Sequence, residues 1–128
     1  MKYYISKQLN YSFETAIGKV KESLKTEGFG VLCEINIQEK LKEKLGVDFR
    51  KYTILGACNP AYAYKALVSE DRIGTMLPCN VIVQERNTNE IEVSAVDPLA
   101  SMMAVENPAL AGIASEVKEK LERVINIL

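Results

Sequence analysis

The sequence contains no histidine and no tryptophan. Without imidazole there is no Ser-His-Asp or Cys-His catalytic pair, no His-ligated zinc and no imidazole proton shuttle. Cysteine is scarce as well. The chain of 128 residues holds three, Cys33, Cys58 and Cys79. An odd number of widely separated cysteines is neither a disulfide framework nor a compact zinc motif, so no metal site is expected. It suits a reduced, cytoplasmic protein. An excess of one charge is also missing, with 16 Lys+Arg against 17 Asp+Glu and a net charge of −1. Such a chain has no long-range attraction for phosphate backbones. Its densest basic stretch, Lys40, Lys42 and Lys44, interleaves with Glu39 and Glu43 and reads as a solvated helix face. No nucleic-acid partner is expected. No apolar run approaches the ~20 residues of a membrane span. Polar Ser6, Lys7 and Gln8 follow Met1–Ile5 too soon for a signal peptide. No membrane partner is expected either. Gly28-Phe29-Gly30 follows a helix pattern instead of opening one, and no Gly-Lys-Ser/Thr run exists, so the phosphate-binding fingerprints are absent.

What is present is an ordinary globular composition, 48% hydrophobic and 26% charged. The length suits one domain, with no linker or repeat, and residues 1–128 read as a continuous module. Tyr3 to Leu9 reads as a first strand. Ser12 then caps a helix whose stripe is Phe13, Ala16, Ile17, Val20 and Leu24, and Gly28 ends it. Val31 to Ile37 alternates, with Val31, Cys33, Ile35 and Ile37 on one face, and predicts a half-buried strand that carries Cys33 into the core. A charged helix closed by Gly46 follows, then a strand from Tyr52 to Cys58 and a helix from Pro60 to about Glu70. Asn80 to Arg86 and Ile91 to Val96 read as a hairpin. The last helix, from about Pro108 to Ile127, has Leu110, Ile113, Ala114, Val117, Leu121, Val124 and Leu128 on one stripe. Mixed elements with a hairpin at the end predict an α+β fold, with helices on a mainly antiparallel, or mixed, sheet.

One local pattern stands out. Gly56-Ala57-Cys58-Asn59-Pro60 closes one strand, and Leu77-Pro78-Cys79-Asn80 opens another. Asn59 is placed to cap the next helix, with Pro60 at its first position. Cys58 then precedes a helix N-terminus, where partial positive charge favours a thiolate and backbone N–H groups can hold an anion. With Cys79 alongside, the two thiols form a paired site. The bland alternative is that both are small core residues, since free cysteine is often buried and Asn107-Pro108 and Asp97-Pro98 repeat the helix-starting device. Asp97 ends an apolar strand and reads first as an N-cap, second as a site carboxylate. Leu99 to Val105 carries Met102 and Met103, adaptable side chains that suit a pocket, a subunit interface or a short core helix.

Gly28-Phe29-Gly30-Val31-Leu32, Leu45-Gly46-Val47-Asp48-Phe49, Gly56 to Pro60, Leu77 to Val81 and Ala95-Val96-Asp97-Pro98 together resemble the small bacterial and archaeal proteins called domain of unknown function 302. The resemblance covers nearly the whole chain. It implies an α+β domain that associates as a homodimer, in a family whose biochemical role is not established. It also places the Cys-Asn-Pro and Pro-Cys-Asn segments, with Asp97, among the family's motif residues.

The first expectation is therefore a homodimeric domain that binds a small ligand or a partner, its cofactor unknown. The site candidates are Cys58, Asn59, Pro60, Pro78, Cys79, Asn80, Asp97 and Met102. A second is a redox or thiol-transfer enzyme with Cys58 as the reactive thiol and Cys79 as its resolving partner. A third is an interaction module whose motif only sets packing.

Overall fold

The computed structural model describes residues 2–128. Five strands, β1 (Tyr4–Leu9), β2 (Gly30–Asn36), β3 (Tyr52–Cys58), β4 (Cys79–Asn87) and β5 (Glu90–Val96), form one sheet in the order β1-β5-β4-β3-β2. All four pairings are antiparallel. The helices are α1 (Phe13–Thr26), α2 (Ile37–Leu45), α3 (Pro60–Ser69), α4 (Pro98–Ser101) and α5 (Pro108–Asn126), with a 3-10 turn over Asp71–Met76. The fold is α+β, as the alternation of patterns predicts. Among the described residues, no helix is long and apolar enough to cross a membrane.

The apolar stripes explain the layering. Ala16, Val20 and Leu24 of α1 and Val117, Leu121 and Val124 of α5 are buried against one face of the sheet. That face is built from Leu55, Ala57, Val81, Val83, Ile91, Val93 and Ala95, each fully buried. At roughly 25 cal/mol per Å² of apolar surface, this single layer of contacts is the main stabilising term. Ser23 adds a buried hydrogen bond, its hydroxyl donating to the Val124 carbonyl at 2.6 Å, which ties α1 to α5.

The local signals terminate the elements as their chemistry requires. The Ser12 hydroxyl accepts from the Thr15 N–H, and Asn36 does the same for Glu39 at the start of α2. Gly46 closes α2 at a left-handed φ of 67°. Pro60, Pro98 and Pro108 each open a helix, where the missing N–H costs nothing.

The second strand departs from its expected pattern. A bulge between Val31 and Cys33 shifts the register, so Val31 pairs with buried Ala57 while Cys33 pairs with Gly56 on the opposite face. The strand also lies at the sheet edge, and Ile37 belongs to α2. Cys33 is therefore exposed rather than core. Strict alternation fails because one inserted residue reverses every side chain on one side of it. The 99–105 segment resolves into the short α4 followed by turns, with Met103 exposed and Met102 half-buried.

The face of the sheet opposite α1 and α5 carries a row of isoleucines. Ile35 is the cross-strand partner of Ile54, and Ile54 is the partner of Ile82. Ile35 is exposed and the other two are only half-buried.

Candidate functional site

The end of β3 and the start of β4 come together through backbone pairing. Ala57 lies opposite Cys79, so Cys58 stands one step along on the diagonal. Alternation along β3 turns the Cys58 side chain to the face opposite the one that carries Ala57 and Cys79, and both cysteines are free thiols. Two residues separated by 20 others in the chain thus lie on neighbouring strands because a helix and a 3-10 turn return the chain antiparallel.

Glycine makes this approach possible. A Cβ on Gly56 would lie 2.5 Å from the Cys33 Sγ and 2.8 Å from the Pro78 Cγ. The strand must therefore lack a side chain there for Pro78 and Cys33 to close over it. Gly28 has a similar role with a different cause. Its φ of +84° favours glycine, and the Asn59 Nδ2 lies 3.3 Å from where a Cβ would stand.

Asn59 holds the N-cap position of α3, but its side chain does not cap the helix. Its Nδ2 donates instead to the Glu27 carbonyl at 3.0 Å and pins the start of α3 to the end of α1. The expected cap is absent, and a tertiary hydrogen bond holds the side chain instead. Asn107 and Asp97 cap conventionally, accepting from Ala109 N–H at 3.1 Å and Leu99 N–H at 3.0 Å.

A cavity of about 30 Å³ lies between these strand ends and helices α3, α4 and α5. Cys58, Asn59, Pro78, Cys79 and Met102 line it, together with Phe29, Tyr62 and Val117. Pro60 sits exposed at the first turn of α3, and Asn80 is exposed beside Gly56. Neither lines the cavity. Asp97 is buried nearby, but its carboxylate is engaged, Oδ1 by the Leu99 N–H and Oδ2 by Lys118 Nζ at 3.0 Å. It fixes α4, and through α4 the position of Met102.

Periodicity does not reveal Phe29 or Tyr62 as wall residues. Phe29 lies between two glycines, where no helix or strand pattern applies, and Tyr62 interrupts a run of alanines in α3. Val117 was legible, as part of the α5 stripe.

The chemistry of the wall follows from its composition. No carboxylate, lysine or arginine lines the cavity, and its wall is almost wholly apolar. Burial, with a smaller contribution from the charge of Cys58, pushes the Cys79 thiol up to about 11. Cys79 is therefore a neutral thiol near neutral pH. Burial, then the neighbouring Glu116 carboxylate, also raises Tyr62, keeping its hydroxyl protonated. Outside the wall, Arg123 donates from Nε at 3.1 Å to the Glu27 carboxylate, and this hydrogen bond is the main cause that lowers the Glu27 pKa. Glu27 thus holds α5 with its side chain and α3 with its carbonyl. Among the described residues, no three His, Cys, Asp or Glu side chains gather in a metal-binding group.

The family model described as "Domain of unknown function DUF302" matches residues 5–128. The chain is also similar to the uncharacterized conserved protein DUF302 from Bacillus stearothermophilus, whose crystal structure superposes with a TM-score of 0.91. The two are 31% identical, and the match covers 98% of each chain. No curated protein matches.

Proposed function

The chain belongs to the domain of unknown function DUF302 family, and from that footing we propose that it binds a small ligand at the Cys58–Cys79 cavity, as a cytoplasmic homodimer. One observation carries the binding reading. Two cysteines with free thiols, from neighbouring strands, line one apolar cavity together with Met102. Neither thiol is needed for the hydrogen bonding of the fold. The volume narrows the ligand. About 30 Å³ holds one or two water-sized groups, whereas pockets for metabolites of ordinary size run to several hundred Å³. Binding is favoured over thiol redox turnover because burial keeps Cys79 protonated, which makes it a slow resolving nucleophile.

A retained ligand should shield Cys58. Protein isolated gently under reducing conditions should be alkylated at Cys58 by iodoacetamide several-fold more slowly than the same protein unfolded, dialysed and refolded. Mass spectrometry of the Cys58 peptide reads the rate. Equal rates before and after stripping would count against a ligand at this site.

The homodimer has separate support. The row Ile35, Ile54, Ile82 lies on the sheet face away from α1 and α5, and its members are exposed or half-buried. A self-complementary apolar row is what a two-fold interface needs, and the family resemblance implies the same assembly. The net charge of −1 gives two copies little mutual repulsion. Light scattering should give the mass of two chains for the native protein and of one chain for Ile82→Glu. A single-chain mass for the native protein would overturn the dimer; a dimeric Ile82→Glu would move the interface elsewhere. The three cysteines, all free thiols, suit a reducing compartment.

A further inference from the structure

We infer that α3 is a lid over the cavity, a helix that lifts away while the sheet, α1 and α5 stay folded, and so admits the ligand. This rests on the binding reading above and says how that same site is reached. Size is the first reason. A space of about 30 Å³ takes a guest larger than one or two water-sized groups only if a wall moves. The walls are held unequally. The sheet wall, with Ala57 and Cys79, belongs to paired strands in the main core. The α5 wall, with Ile113, Ala114 and Val117, belongs to a helix that buries six residues along its length. Behind Met102, Asp97 clamps the start of α4 through Leu99 and Lys118. The α3 wall, with Tyr62, Ala63 and Ala66, belongs to a ten-residue helix that buries Ala66 alone. Local opening selects the element with the fewest buried apolar contacts, and among these walls that is α3.

The outer side of α3 adds nothing to hold it. Tyr64 and Val68 stand exposed there. Lys65, its one charged residue, lies over the Tyr62 ring of the same helix, 5.3 Å from the centroid. Each end of the helix is a single-residue joint in extended conformation, Asn59 towards β3 and Glu70 towards the 3-10 turn. Past the second joint the chain is anchored again, because Ile73 is buried against Leu110 of α5. The helix between these anchors can therefore leave without unravelling either neighbour.

Two tertiary hydrogen bonds latch the ends, both from asparagine amides. Asn59 Nδ2 donates to the Glu27 carbonyl at 3.0 Å, and Asn107 Nδ2 donates to the Ser69 carbonyl at 2.9 Å. Asn107 caps α5 through its Oδ1 at the same time, so the latch and the cap use different atoms of one side chain. Cys79 reports the lid. It lines the same cavity and is only 9% exposed while α3 is in place.

The test is alkylation of Cys79 by iodoacetamide in folded, reduced full-length protein that has been unfolded, dialysed and refolded. Mass spectrometry of the Cys79 peptide reads the rate, and urea unfolding followed by circular dichroism reads global stability. Two kinds of variant separate local from global opening. Val20→Ala empties part of the α1 core contact, and the milder Ser23→Ala removes the bond from α1 to the Val124 carbonyl; neither residue lines the cavity. Both should lower the urea midpoint and leave the Cys79 rate unchanged. Asn107→Asp keeps the capping oxygen and loses the latch, and Asn59→Ala loses the other latch. Each should raise the Cys79 rate by roughly threefold to tenfold, the effect of one lost hydrogen bond. A rate that rises in Val20→Ala and Ser23→Ala in proportion to their lost stability would mean that Cys79 is reached by global unfolding, and would overturn the lid. So would latch variants that react at the native rate, or a native Cys79 that reacts as fast as in the urea-unfolded chain. If the lid fails while gently isolated protein still shields Cys58 from alkylation, the ligand enters past another wall and the binding reading stands. If α3 opens as described but Cys58 is never shielded, the lid stands and the binding reading falls.

Discussion

Asp97→Ala should lower the unfolding free energy by about 2–3 kcal/mol, and Asp97→Asn by roughly half as much. Two interactions meet on this carboxylate. Oδ1 accepts the Leu99 N–H at 3.0 Å and so caps α4; Oδ2 pairs with Lys118 of α5 at 3.0 Å. Removing a cap to alanine costs about 1 kcal/mol. Breaking a fully buried ion pair costs about 3–5 kcal/mol, but the Lys118 side chain is 33% exposed and can turn to water. We therefore assign about 1–2 kcal/mol to the lost pair. Asparagine caps as well as aspartate does, so Asp97→Asn loses the pair alone. Urea unfolding followed by circular dichroism measures both, and the melting temperature of Asp97→Ala should fall on the order of 10 °C. Equal losses in the two variants would mean that the cap contributes nothing. Aspartate at this position is then explained as the clamp that fixes α4 behind Met102.

Between pH 9 and pH 11 the reduced protein should lose about 2–3 kcal/mol of stability that its Cys79→Ala variant does not lose. The sign follows from where the proton is held. The Cys79 thiol titrates near 9.0 when unfolded and at about 11 when folded, because burial, and then Cys58, oppose its charge. Below pH 9 both states keep the proton and there is no difference in slope. Above it the unfolded chain releases the proton while the folded chain retains it, so unfolding becomes easier by about 1.4 kcal/mol per pH unit. The loss is complete once the pH passes the folded value. Other groups titrate in the same window, and subtraction of the Cys79→Ala curve removes their share. Parallel curves for the two proteins would show that the thiol is not buried as described.

The two cysteines of the site and the third outside it illustrate what local pattern can reveal. Cys58 and Cys79 were marked by their matching Asn and Pro neighbours, and they do line one cavity. Cys33 was misread because alternation assumes an unbroken strand, and the β2 bulge breaks it. Asn59 shows a different failure. Its residue type and position predict a cap, but the tertiary hydrogen bond from Nδ2 to the Glu27 carbonyl holds the side chain in an orientation in which Oδ1 accepts no helix N–H. Asp97 and Asn107 behave as their sequence predicts, and the Asn107 Nδ2 also donates to the Ser69 carbonyl at 2.9 Å while its Oδ1 caps α5. Pro60 and Asn80 belong to the motif yet stand outside the cavity, since one opens a helix turn and the other points to the exposed side of its strand.

By itself the sequence determined most of the elements and the α+β class, because these depend on residues three or four apart and on apolar period. It also excluded every imidazole chemistry, since no folding can supply a missing side chain. Only the tertiary structure decided which cysteines line the cavity, how large that cavity is and which face Cys33 occupies. Those depend on strand register and on a single inserted residue, and the free energies that set them come from contacts between segments far apart in the chain.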